Sequence, residues 1–238
     1  MFGDAVETAI RIHAMHEYPR EACGVVTAGG YEPLENVAVD PEESFDCTEQ
    51  LQAYLEAGTA LALVHSHPDG PRAPSAGDMR RQISMDIPWG IVTCTHDSAD
   101  PAFYWSDSLA PPPLIGRGFR WGPSGTDGCG DCAALVRDYY WMERSIRLPE
   151  FAREDGYWRV PGVSYRDNLI TSGFQSTDRT QPEIGDVFLA AVRSEQPNHA
   201  GIYVGEGKIL HHLQERLSVE TPVVIWLRFM TDWMRYRA

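Results

Sequence analysis

His65 and His67 stand two residues apart at the end of a short apolar run, residues 61–64, and a Pro/Gly-rich loop separates them from Ser75-x-x-Asp78. On an extended strand alternate side chains point to the same side, so both imidazoles can reach one point in space. A loop that turns back brings Asp78 to that point as a third ligand. Two imidazoles and one carboxylate leave a tetrahedral Zn2+ one open position, the arrangement of a catalytic rather than a structural zinc. The same residues admit a second reading. Ser75 and Asp78 also form a capping box, S-x-x-D, at the start of a helix, which explains both without a metal.

A second group of reactive residues lies downstream. Asp131 is a natural N-cap residue, which places Cys132 in the first turn of the helix that follows. There the helix dipole and unpaired amides favour the thiolate. Residues 199–204 and 208–213 read as a hairpin that carries His199, His211 and His212. A thiol at a helix start, packed against a strand bearing histidine, is the layout of a Cys–His hydrolase, with a base near the thiol and a third group orienting that base. His199 is the expected base. If residues 205–207 form a three-residue loop with Gly207 left-handed, residue 204 pairs with 208 and 201 faces 211, putting His211 on the face of His199. A two- or four-residue loop selects His212 instead. Cys129 and Cys132 also form a C-x-x-C, but no second such pair exists and the context is not thioredoxin-like.

The elements that must position these residues follow from periodicity and punctuation. Residues 4–15 read as an amphipathic helix with Ala5, Ala9, Ile10 and Ile12 inward. Residues 23–27, 36–39, 61–64, 89–96 and 103–105 read as strands, with helices over 50–57 and 75–85. Residues 106–118 (SDSLAPPPLIGRG) then change character, because consecutive prolines favour extended polyproline backbone. This places a linker at 108–118 between domains at 1–107 and 119–238. In the second domain Val136, Tyr139 and Tyr140 continue the inner face of the Cys132 helix, 187–192 is a strand, and 223–227 is expected as the last one.

Composition sets the outer limits. The 238 residues carry a net charge of −14, which argues against nucleic acid or an anionic membrane as the main partner. The N-terminal stretch has early acidic residues and no continuous apolar core, so no signal peptide is expected. No apolar run approaches a membrane span, so no membrane anchor is expected either. The five cysteines are odd in number and scattered, which fits a reduced site of synthesis rather than a disulfide framework.

The pattern H-S-H-P, six residues, S, two residues, D over residues 65–78 resembles the signature of the JAMM/MPN+ metallopeptidases, with Glu21 of Glu21-Ala-Cys-Gly24 in the place of their upstream glutamate. The resemblance implies Zn2+ on His65, His67 and Asp78, Glu21 as proton carrier and Ser75 as a hydrogen-bond donor to the oxyanion. Residues 131–136 (DCAALV) and 199–205 (HAGIYVG) resemble the D-C-x-x-L/F-V and H-x-G-I-Y-x-G motifs of the NlpC/P60 cysteine peptidases. That resemblance implies Cys132 as nucleophile, His199 as base and His211, twelve positions on, as orienter. Phe119 falls where many members carry a tyrosine that assists the oxyanion. Together these imply a fold class of α/β and α+β, an N-terminal JAMM-type α/β sandwich and a C-terminal papain-like NlpC/P60 fold.

The fusion of the two resembles tail-tip assembly proteins of lambda-like siphophages. It implies a zinc-dependent (iso)peptidase joined to a cysteine peptidase that hydrolyses peptidoglycan stem peptides. The partners implied are that stem peptide and other phage tail-tip proteins, in the host cytoplasm during assembly and at the virion tail tip. Rival readings are a mainly structural tail-tip protein with idle or single-use sites, and a cellular cell-wall hydrolase, which the lack of a signal peptide weighs against.

Overall fold

The computed structural model describes residues 1–178 and 180–238, in two compact units that divide, for most of the chain, between Ala110 and Pro111. The N-terminal half runs α1 (Asp4–Glu17), β1 (Cys23–Thr27), β2 (Gly30–Leu34), α2 (Thr48–Glu56), β3 (Ala62–Pro68), α3 (Ala76–Ser84), β4 (Trp89–Cys94) and β5 (Phe103–Trp105). Its strands form one sheet in the order β2-β1-β3-β4-β5, parallel only between β3 and β4. Parallel neighbours need a crossover, and the histidine loop with α3 supplies it. His65 and His67 therefore sit where β3 gives way to that crossover.

Strand alternation divides the side chains between two cores. Val26, Ala62, Val64, Val92 and Tyr104 pack with Ile10 and Ala14 of α1. Cys23, Val25, Leu63, Trp89, Ile91 and Trp105 face the other way, with Leu51 of α2 and Phe45 of the loop before it. The inner stripe of α1 is Val6, Ile10 and Ala14, spaced by four residues. Ile12, expected inside, is 58% exposed, because two positions along a helix is about 200° around its axis. The strand expected at 36–39 is an irregular loop, and β2 takes the sheet edge earlier. Buried Asn36 holds that loop instead. Its amide donates to the carbonyls of Glu21 and Ser44 (2.8 and 3.0 Å) and accepts from the N–H groups of Ala38 and Asp46 (3.0 Å each). A side chain that satisfies so many backbone groups removes the need for a ladder partner.

The C-terminal half begins with a short parallel pair, β6 (Gly118–Phe119) and β7 (Cys129–Gly130), followed by α4 (Cys132–Arg144) and α5 (Tyr165–Thr171). Then come β8 (Phe174–Ser176), β9 (Val187–Ala190), β10 (His199–Gly205), β11 (Lys208–His211), β12 (Val219–Pro222) and β13 (Met230–Tyr236). These six form an antiparallel sheet in the order β12-β11-β10-β9-β13-β8. Ala133, Val136, Tyr139 and Tyr140 of α4 pack on Val187, Leu189, Ala200 and Ile202 of the sheet. The opposite face carries Phe188, Ile209, Trp226 and Trp233.

The last strand is β13, not residues 223–227. Val223–Ile225 form a 3-10 turn, and Val224, Ile225 and Leu227 are exposed while Trp226 is the one fully buried member. An apolar run with one buried member is not a strand lying on a core. Among the described residues no helix is long and apolar enough to cross a membrane.

Candidate active sites

In the N-terminal half, β3 presents His65 and His67 on one side, as strand parity requires. Their Nε2 atoms lie 3.0 Å apart. Donor atoms of His65, His67 and Asp78 all fall within 4.8 Å of one another, and all three residues are buried. Two nitrogens bound tetrahedrally to one zinc stand about 3.3 Å apart, so the pair fits a metal, and Asp78 adds the hard oxygen donor. His67 Nδ1 lies 2.9 Å from the Pro71 carbonyl. Donation there fixes the tautomer and leaves the Nε2 lone pair for a metal.

The capping reading is realised as well. The Ser75 N–H donates to Asp78 Oδ2 at 2.8 Å, and the Asp78 N–H donates to Ser75 Oγ at 3.0 Å. The Ser75 hydroxyl also donates to Asp78 Oδ2, at 2.7 Å. The two readings coexist because a carboxylate has two oxygens and the cap engages one. Glu21, also buried, precedes β1. Cys23 pairs with His65, and the Ser66 N–H reaches the Ala22 carbonyl at 2.9 Å. Continuing that antiparallel register sets Glu21 beside His67. Phe45 stacks on the His65 ring with centroids 4.4 Å apart. Nothing local in the sequence marks that contact, which joins residues twenty positions apart.

In the C-terminal half, Cys132 opens α4 and is buried. The Asp131 carboxylate caps the helix by accepting from the Ala134 N–H at 2.8 Å. Buried Arg153 clamps the same carboxylate at 2.7 and 2.9 Å. His199 starts β10 and His211 ends β11. Gly205 pairs with Lys208, so the turn has two residues rather than the expected three, yet Gly201 still faces His211. A bulge between Tyr203 and Gly205 restores the residue that the shorter turn removes. His211 thus shares a face with His199, their centroids 5.4 Å apart. Gly201 is required between them, since a Cβ there would lie 2.5 Å from Phe188 and 2.8 Å from the His211 Cβ.

Trp226 completes the group, its ring 4.8 Å from His199 and 4.6 Å from His211. Sequence reasoning placed it in a strand and missed this contact. His212 turns its Nε2 to the Arg216 carbonyl at 3.1 Å. Phe119 meets His212 edge-on and lines the cleft that also exposes Cys132 and His199. It brings no hydroxyl. The open cleft has a volume of about 1010 Å³.

The electrostatics correct the expectation of a low-pKa thiol. Burial, then the neighbouring Asp131 carboxylate, pushes the Cys132 thiol up to about 12, outweighing the opposing pull of the backbone N–H groups of Ala200 and Cys132 itself. Burial, then His211 and His212, holds His199 well below the usual imidazole range. Burial, then His212, lowers His211 to about 4. The resting pair of thiol and imidazole is therefore neutral.

Residues 116–233 match the model of the NlpC/P60 family, and residues 4–106 match that of prokaryotic homologs of the JAB domain. The chain is 38% identical over 189 residues to the tail tip assembly protein K of Escherichia phage lambda, covering 79% of this chain and 87% of that protein. It is 33% identical over 221 residues to the tail tip assembly protein K of Escherichia phage N15, covering 90% and 86%. A desampylase of Haloferax volcanii is 28% identical over 116 residues, covering 43% of this chain and 82% of that protein.

Proposed function

The chain belongs to the family of tail tip assembly protein K, with an NlpC/P60 domain and a JAB-like domain, and from that premise we propose that it is a two-site peptidase. Its C-terminal half cuts peptidoglycan stem peptides, and its N-terminal half cuts an amide or isopeptide bond with a zinc ion. One observation carries the first assignment: Cys132, at the capped start of α4, and His199, at the start of β10, line one cleft.

The chemistry of that cleft follows from the neutral resting pair. His199 takes the proton of Cys132 Sγ as the sulfur attacks the amide carbon, so proton transfer accompanies attack. His211 and Trp226 hold the imidazole. The tetrahedral oxyanion is met by backbone N–H groups, that of Cys132 first, since Phe119 offers no donor. The departing amine takes the proton back from His199, and water then releases the acyl group from Cys132.

In the N-terminal half, His65, His67 and Asp78 would hold the zinc ion, which when bound would supply an acidified water and a Lewis acid for the carbonyl. Glu21 would serve as the proton carrier beside that site, accepting a proton from water and giving it to the leaving amine. Ser75 serves the oxyanion only by re-aiming its hydroxyl, which in the structure donates to Asp78. The match of residues 4–106 to the JAB domain, together with a desampylase among the similar proteins, supports an isopeptidase-type bond as the target. The working partners are other tail-tip proteins, first in the host cytoplasm and then at the virion tail tip.

The test is hydrolysis of purified stem peptides by the full chain, with and without a chelator. Cys132→Ala abolishes cleavage, while chelation and His65→Ala leave it. Cleavage by Cys132→Ala at the wild-type rate would remove the nucleophile from the mechanism. For the zinc site, Glu21→Gln keeps bound metal and loses turnover.

A further inference from the structure

The aim of the His65 ring is set by its neighbours rather than by its own side chain. The torsion that turns an imidazole about its Cβ–Cγ bond is broad, yet a metal ligand must point its in-plane lone pair at one place. For His67 the Pro71 carbonyl fixes the ring through Nδ1, 2.9 Å away. The His65 ring is gripped by its face and its edge. Phe45 stacks on it with planes 22° from parallel, and Trp89 meets it edge-on, centroids 5.8 Å apart. Phe45 is buried but sits in an irregular loop, so its place depends on what holds that loop. Buried Asn36 holds both of its neighbours, donating to the Ser44 carbonyl and accepting from the Asp46 N–H, 3.0 Å each. Arg81 donates to the carbonyl of Phe45 itself at 3.0 Å and to Thr48 Oγ1 at 3.1 Å. Its guanidinium also lies over the Phe45 ring, 4.9 Å from the centre.

We infer that Phe45 is a positioning residue for the metal centre: its face fixes the plane of the His65 ring, and so the direction of the Nε2 lone pair, while Asn36 and Arg81 hold Phe45 in place. The inference rests on the reading of His65, His67 and Asp78 as a zinc site. Stacked rings need near-parallel planes, so any turn of the imidazole about Cβ–Cγ breaks the contact with Phe45. The cation over the phenyl ring steadies it in turn. Hydrogen bonds to three consecutive residues, Ser44, Phe45 and Asp46, keep the loop from following a moving imidazole. Asn36 also donates to the Glu21 carbonyl at 2.8 Å. One buried amide therefore ties the backbone of the proposed proton carrier to the loop that presents Phe45.

Two measurements on the full chain read ligand geometry without reference to turnover: zinc affinity in competition with a chromogenic chelator, and the visible spectrum of the Co2+-loaded protein. Phe45→Leu fills most of the space but offers no flat face. It weakens zinc binding about tenfold or more, as loss of a ligand's outer partner does, and alters the cobalt bands. Thermal melts of the metal-free protein confirm that the variant is folded. Phe45→Tyr keeps the face and returns both readouts toward wild type. Should Phe45→Leu not fold, Arg81→Gln decides in its place, since that side chain is half-exposed and touches the site only through Phe45 and its loop. Weaker zinc binding with altered bands supports the positioning role, and unchanged values overturn it. Wild-type affinity and spectrum in folded Phe45→Leu overturn that role and leave the zinc site standing. If folded wild type binds neither zinc nor cobalt, the zinc reading itself falls, and the role of Phe45 falls with it.

Discussion

The indole of Trp226 stacks over the imidazole of His199, ring centroids 4.8 Å apart and planes 31° from parallel. Burial holds His199 neutral at rest, yet the proposed attack turns it into an imidazolium for a moment. An aromatic face offsets part of the cost of that buried cation. Trp226→Leu is expected to lower kcat about tenfold with little change in KM and to move the acid limb of the pH–rate profile downward. Trp226→Phe restores part of both. An unmoved pH profile in a folded Leu variant would reduce the indole to filler.

The shifted groups also fix how stability depends on pH. His211 titrates at about 4 in the folded chain against an ordinary 6.5, and His199 is lowered too. Between those values the unfolded chain binds protons that the folded chain refuses, so this contribution is present above 6.5 and is lost as pH falls toward 4. Cys132 works in the opposite direction, raised from 9.0 to about 12. Its contribution is kept below 9 and lost as pH rises toward 12. Scanning calorimetry should give a Tm plateau between these limbs, and His211→Asn should flatten the acid side.

What the sequence made legible here was local. Two histidines on one strand and a cap at Asp131 are consequences of parity and near-neighbour geometry. The position of His211 survived a miscounted turn because the bulge after Tyr203 preserved parity, and face depends on parity alone. The contacts of Trp226 with His199 and of Phe45 with His65 join residues far apart in the chain, so no spacing announces them. The thiol's charge state was misjudged for a related reason. The dipole of α4 is visible in a motif, but the burial that outweighs it is a property of the whole packed half.

Asp78 lets the cap and the metal be separated. Its Oδ2 accepts from both the N–H and the hydroxyl of Ser75, and an asparagine can still accept a cap hydrogen bond but is a poor anionic ligand. Asp78→Asn should keep the metal-free Tm close to wild type and lose the rise in Tm that zinc produces by binding the folded state. Ser75→Ala should do the reverse, costing about 1 kcal/mol through the cap while retaining a zinc response. A zinc response in Asp78→Asn as large as in wild type would take Asp78 out of the ligand set.

Asp131 is asked to do two opposed things. It accepts from the N–H groups of Ala134 and Gly122 (2.8 and 3.0 Å) and from fully buried Arg153, and so fixes the start of α4. Its negative charge also raises the pKa of the adjacent Cys132. Breaking a buried ion pair from one side leaves an uncompensated charge, so Arg153→Ala should cost about 3–5 kcal/mol in urea unfolding. Asp131→Asn keeps the cap acceptor for Ala134 but removes the charge and sets an amide donor against the Gly122 N–H and Arg153, which retains Glu150 as its partner. That variant should be less stable than wild type, yet its Cys132 should react faster with iodoacetamide at a fixed mildly alkaline pH, because the thiolate is less disfavoured. Stability and thiol reactivity moving in opposite directions is the signature of a charge kept for the fold at the expense of the nucleophile. Were alkylation to slow together with the loss of stability, Asp131 would be assisting the thiolate through helix geometry, and its electrostatic opposition to Cys132 would be the lesser effect.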